Sequence, residues 1–174
     1  LRANEFESRR QIAKISKPVD KKEWQMTPPT VNAYYSGSMN EIVFPAGILQ
    51  PPFFDKSMDD NVNFGSIGAV IGHELTHGFD DQGRKFDPEG NLRDWWTEQD
   101  GKEFEKRASC VADEYGNFVP VDDLKLNGKL TLGENTADNG GARIALMALE
   151  NMIQQFGKKP EEIDGYTPQQ RYFL

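Results

Sequence analysis

The stretch Gly72-His73-Glu74-Leu75-Thr76-His77-Gly78 constrains this chain more than any other. It is H-E-x-x-H inside an apolar run, and its two histidines are the only ones in 174 residues. Residues four apart on a helix share a face, with Cβ atoms about 5–6 Å apart. Two imidazoles so placed reach one zinc ion, each at about 2.0–2.1 Å. Glu74 follows the first histidine and so stands beside the metal rather than on it. That is the place of a general base taking a proton from zinc-bound water. The alternative is a pair of core histidines, which would need buried partners for their ring nitrogens. The motif demands a helix, here predicted over about Phe64 to Phe79 with Asn61 or Asn63 as its cap. Ile67, Val70, Ile71 and Leu75 surround that helix with apolar side chains, so it is expected to be buried. Gly65, Gly68 and Gly72 each cost about 1 kcal/mol relative to Ala. Close approach of a second backbone is the packing reason that offsets it. Gly78 marks the helix end or a bend.

A catalytic zinc site uses three protein ligands and keeps one position open, so the motif calls for one more ligand. A second helix is predicted from Thr131-Leu132-Gly133-Glu134 to about Phe156, with apolar residues at helical spacing. Glu134 and Asp138 lie four apart on one of its faces. Glu134 is read as the third ligand and Asp138 as the carboxylate steadying a ligand histidine. The competing reading makes Glu134 part of a capping box with Thr131. Asp80, three residues after His77, either accepts the free ring N–H of a ligand histidine or is a solvated turn residue. Gly140-Gly141 is costly in a free helix but permits close helix contact.

The length fits about one domain with a sizeable core. A net charge of -8 argues against nucleic acid and anionic membranes as partners. No apolar run is long enough to span a membrane, and no signal peptide is visible. The start at Leu1 and the stop inside a predicted helix suggest a piece of a longer protein. Residues 1–30 are read as an N-terminal helix and linker. Leu1 to Lys17 forms a charged helix with a thin stripe of Phe6, Ile12 and Ile15, ended by Pro18. Val31-Asn32-Ala33-Tyr34-Tyr35 is read as a strand. Its Asn32 is either a turn residue or part of an edge that binds extended peptide. Ser36 to Asn40 makes a hairpin turn, with Gly37 available for positive φ, and Glu41 to Phe44 returns. Pro45 to Phe54 is an irregular apolar loop, packed in the core or lining a pocket. Asp87 to Asn91 is a turn whose calcium-loop pattern is incomplete. Asp94-Trp95-Trp96 is read as a core anchor. Thr97 caps a helix that carries Phe104, Cys110 and Val111 and ends near Tyr115-Gly116. Cys110, the lone cysteine, is expected to be a buried unpaired thiol. Lys158 to Asp164 is a polar loop, and Thr167-Pro168 starts a last helix. The fold class is α+β: a small antiparallel sheet by a cleft, then packed helices.

Four segments together resemble the neprilysin and endothelin-converting-enzyme family of zinc metalloendopeptidases. They are Val31 to Tyr35, Ile42 to Phe54, Gly72 to Asp81 and Leu132 to Gly141, in that family's order and spacing, with similarity from about Asn32 to Leu174. The resemblance implies a thermolysin-like zinc peptidase lobe over residues 31–174, truncated at both ends. It implies one zinc ion on His73, His77 and Glu134, with Glu74 as base, Asp138 orienting a ligand histidine and Asp80 a further acid behind the ligands. Asn32 and Ala33 would hold an oligopeptide backbone. Ile48, Phe53 and Val70 would line a pocket for a hydrophobic residue after the scissile bond. The family's N-terminal helical lobe lies outside this chain, as do a downstream histidine and arginine that stabilise the oxyanion and grip substrate. In extracellular members a cysteine near Cys110 pairs outside this stretch. The family leans towards an extracytoplasmic location. The parent is therefore expected to be a peptidase, with this fragment weak or inactive. The rival readings are a non-catalytic zinc-binding module and a different metallohydrolase with the same ligands.

Overall fold

Local sequence rules account for most of the elements in the computed structural model, which describes residues 2–156 and 161–174. The first helix, α1, runs Arg2–Ile12 and buries no residue. It stops short of the expected Lys17. The backbone tightens there into three-residue turns, Ile15 N–H to Ile12 and Lys17 N–H to Lys14. Glu23 holds the linker back against α1 through Arg10 and Lys14.

Two short strands follow, β1 (Tyr34–Ser36) and β2 (Glu41–Val43), paired antiparallel with Tyr35 opposite Ile42. Asn32 and Ala33 fall before β1 rather than inside the strand. The left-handed residue of the connecting turn is Asn40 (φ 49°), not Gly37. Gly37 is needed for space instead, since a Cβ there would stand 2.6 Å from the Phe86 ring.

The motif helix is built in three parts: α2 (Asp60–Asn63), a π-helical turn (Phe64–Gly68) and α3 (Ala69–His77). Its cap is Asp59, which accepts from the Asn61 backbone N–H. Asn61 is buried and its amide donates to Asp59 at 2.7 Å, so neither predicted asparagine is the cap. The helix is also one-sided rather than fully buried. Ile71, Leu75 and Phe79, at intervals of four, form an exposed stripe on the face turned away from its packing partner.

Beyond it lie α4 (Glu98–Tyr115), α5 (Leu132–Phe156) and α6 (Pro168–Tyr172). Thr97 caps α4 from Asp100 N–H, and Thr167 with Gln170 forms a complete capping box on α6. Two core clusters sit on either side of the motif helix. One gathers Ala33, Ile48 and Ile67, the other Ala145, Leu149 and Tyr172. The Trp95-Trp96 pair is not core. Trp95 is exposed and donates to the Arg84 carbonyl, while Trp96 and Phe104 cover the half-buried Arg84 guanidinium, whose carbon lies 5.6 Å from the Trp96 ring centre. Cys110 is likewise exposed, because Ala108 and Ala112, not the cysteine, form the buried side of α4. The turn at Asp87 spends its carboxylate on the Glu89 and Asn91 backbone N–H groups. Of the expected polar loop at Lys158 to Asp164, residues 158–160 lie outside the described residues, as does Leu1.

Candidate metal and active site

α3 carries His73, Glu74 and His77, and α5 lies directly against it. The crossing point is Gly72 on Gly141: a Cβ on Gly72 would stand 2.8 Å from Gly141 Cα. Glu134 and Asp138 sit two turns and one turn before that crossing, and both side chains reach across to the histidines.

His73 Nε2 and His77 Nε2 lie 2.9 Å apart. Glu134 Oε2 is 3.4 Å from the first and 3.5 Å from the second. Ligands on tetrahedral zinc at bonds of about 2.0–2.1 Å stand about 3.3 Å from one another. Three borderline donors therefore converge at the spacing zinc needs, and the residues fit the ion. Glu74 also lies within 4.8 Å of both imidazoles, but Glu134 comes nearer. Glu134 is exposed and points its carboxylate at the histidines. Thr131 accepts from the Asn135 amide at 2.8 Å, so each partner of the alternative capping box is engaged elsewhere.

The outer ring nitrogens are held as well. His73 Nδ1 is 2.7 Å from Asp138, and His77 Nδ1 is 2.7 Å from Asp80. With Nδ1–H donating to a carboxylate, each Nε2 lone pair is left free for a metal. Asp80 is 5% exposed and takes two further bonds, from the Gln82 and Gly83 backbone N–H groups. Burial alone would raise its pKa; the bonds from His77 and those two N–H groups overcome this and hold it below the ordinary carboxylate range. His77 is raised, first by its bond to Asp80 and then by the charge of Glu134.

Glu74 is buried at 5% exposure. Burial pushes its carboxyl up, against the opposing pull of the two histidines and the Tyr35 backbone N–H.

Two cavities meet at the motif. One, of about 1040 Å³, runs past Asn32, Ile48, Phe53, Val70, His73 and Glu74. The other, of about 430 Å³, runs past Asn32, Ala33, Tyr35, His77 and Glu134. Phe53 and Val70 form the apolar wall of the first. Ile48 is only 2% exposed and stands behind them with Ala33. Ala33 is buried too and borders the smaller cavity. Asn32 is exposed, and its side chain accepts from the Ala33 N–H at 2.9 Å.

Sequence reasoning missed several groups. Val62, Ser66 and Ala69 also line the larger cavity; their spacing to His73 is helical and was the available signal. Tyr172 lines it from 99 residues beyond His73, and the Tyr35 N–H beside Glu74 is a backbone group. Neither leaves a mark in the sequence.

Residues 32–174 match the model of peptidase family M13. Neprilysin-11 of Caenorhabditis elegans is 48% identical over 95% of this chain and 20% of its own length. Endothelin-converting enzyme 1 of Bos taurus is 48% identical over 92% of this chain and 21% of its own length. The inhibitor complex of the zinc metalloprotease Zmp1 of Mycobacterium tuberculosis superposes with a TM-score of 0.90 and 49% identity. It covers 96% of this chain and 26% of that protein's chain. This chain thus spans about a fifth to a quarter of the length of such relatives. A family pattern matched from Asn32 to Leu174, with relatives close to half identical throughout, means that this chain belongs to peptidase family M13.

Proposed function

We propose that this chain is the zinc-binding part of an endopeptidase that hydrolyses oligopeptides. His73, His77 and Glu134 hold one zinc ion, and Glu74 is the general base. The observation that carries the reading is the convergence of both Nε2 atoms and Glu134 Oε2 within 3.5 Å beside a buried carboxylate. A binding module has no use for that carboxylate, and a structural zinc site takes four protein ligands rather than three.

Zinc, when bound, lowers the pKa of a water towards about 7 and polarises a carbonyl. Glu74 accepts the proton of the attacking water and returns it to the leaving nitrogen. Asp80 and Asp138 keep the imidazoles in the ligating tautomer. Asn32, beside both cavities, and the Ala33 backbone, beside the smaller one, hold the substrate chain. The apolar wall of Phe53 and Val70, with Ile48 behind it, favours a hydrophobic residue after the scissile bond. Both histidines of this chain are used as ligands, so neither is left to stabilise the oxyanion. Because this chain spans only about a fifth to a quarter of its relatives' length, turnover is assigned to the full-length parent, with the isolated fragment weak or inactive.

Glu74→Gln in the full-length parent is expected to keep about one zinc per chain while turnover of a peptide falls by at least about 10³-fold. Glu134→Ala should lose the zinc itself. Turnover retained in the first variant removes Glu74 as base; zinc retained in the second removes Glu134 as ligand.

A further inference from the structure

We infer that Gly141, with Gly72 and Gly140, sets the spacing of the metal site: it is a positioning residue for zinc, not only a packing residue. The inference rests on the zinc reading above. A Cβ on Gly141 would lie 2.5 Å from the Ala69 carbonyl oxygen, 2.5 Å from His73 N and 2.9 Å from His73 Cα. The obstructed atoms include the backbone of the first ligand itself. A Cβ on Gly72 would meet Gly141 Cα and its carbonyl oxygen at 2.8 Å, and one on Gly140 would fall into the Thr76 side chain. Ordinary helix pairs are held about 8–10 Å apart by side chains. Here backbone meets backbone: Gly141 lies against Ala69, Gly72 and His73, a full turn of α3.

The site depends on that contact because its donors come from both helices. Glu134, Asp138 and Gly141 fall at intervals of four and three on one face of α5, so their approach to α3 is set together. Relieving a methyl group at Gly141 to an ordinary contact of about 3.5 Å requires the helices to part by roughly 1 Å. His73 Nδ1 and Asp138 stand at 2.7 Å, and such a move takes that bond out of hydrogen-bond range. It also withdraws Glu134 from the two Nε2 atoms. Gly68 gives the comparison: a Cβ there meets nothing nearer than 3.5 Å, so Gly68→Ala tests a glycine in the same helical run without forcing the helices apart.

The test is zinc affinity of this chain, read by competition with a chromophoric chelator, alongside far-UV circular dichroism and thermal melting of the zinc-free protein. Gly141→Ala is expected to weaken zinc binding by about 10-fold or more, the range for disturbing groups behind the ligands. Gly68→Ala should stay within about two-fold of the wild type. A Gly141→Ala protein that melts lower but binds zinc as the wild type does overturns the inference. Should that variant not fold, Gly140→Ala supplies the same wedge against Thr76. Adding Thr76→Ala removes the two nearest of the three atoms it strikes, leaving only Thr76 Cβ at 3.0 Å, and is expected to recover most of the zinc affinity; no recovery overturns the inference. A folded wild type that takes up no zinc overturns the zinc reading itself, whereas a zinc-loaded wild type with an unaltered Gly141→Ala overturns only the spacing role.

Discussion

His73 and His77 are alike in sequence but not in their support. Asp80 is buried and receives two backbone N–H groups besides the imidazole, so it cannot rotate away. Asp138 is 70% exposed and faces His73 from the surface of α5. Removing a carboxylate behind a metal ligand typically costs 10–100-fold in metal affinity. Asp80→Ala is expected near the upper end, about 100-fold, and Asp138→Ala near the lower, about 10-fold, because water replaces the exposed partner more easily. Chelator competition on both variants checks the order. A larger loss in Asp138→Ala would mean that exposure does not rank these partners.

Among the elements, α6 is short but firmly tied. Arg171 donates to Asp59 and to the carbonyls of Glu161 and Tyr166, and Tyr172 donates to the Ala142 carbonyl at 2.5 Å. One helix thus fastens the cap of the motif helix and the middle of α5. Burial would raise the Asp59 carboxyl, but the Arg171 guanidinium and the Asn61 groups outweigh it and lower the pKa from 3.8. A depressed folded-state pKa means stability that is present above about pH 4 and is lost as pH falls through the folded value. Urea midpoints measured from about pH 5 to pH 2 should fall less steeply for Asp59→Asn than for the wild type. Equal slopes would show that the pair is not linked to folding. Arg171→Ala should cost about 3 kcal/mol at neutral pH, since it removes the cation facing the Asp59 carboxylate and a donor to two carbonyls.

The molecule as a whole hangs on two modest clusters with the motif helix between them. Leu149 is fully buried in the second, with Ala145 and Tyr172. Leu149→Ala is expected to lose about 2–5 kcal/mol in denaturant unfolding. The loss should also loosen α5 against α3 and so weaken zinc uptake. A loss under about 1 kcal/mol would show that the site collapses around the gap. The stripe of Ile71, Leu75 and Phe79 contributes little to this core. That explains why a helix reading as apolar all round presents one face to solvent.

The grouping of the candidate site residues was legible because it is local. Two histidines four apart, a glutamate between them and an acidic pair four apart on a later helix need only helical periodicity to be read. Capping of α4 and α6 by Thr97 and Thr167 was legible for the same reason, since each cap bonds within its own first turn. The glycines of the motif helix announced a close neighbour without naming it. What the sequence could not decide was which residues meet across long separations. That Gly72 meets Gly141, that Tyr35 N–H meets Glu74 and that Tyr172 walls the cleft depend on how α3, α5, α6 and the hairpin pack. Among the misjudged residues, Gly37 and the asparagine caps lost their local roles to Asn40 and Asp59, while Trp95 and Cys110 were misjudged on burial. Residue type sets what a side chain prefers, but burial is decided by the elements that happen to cover it.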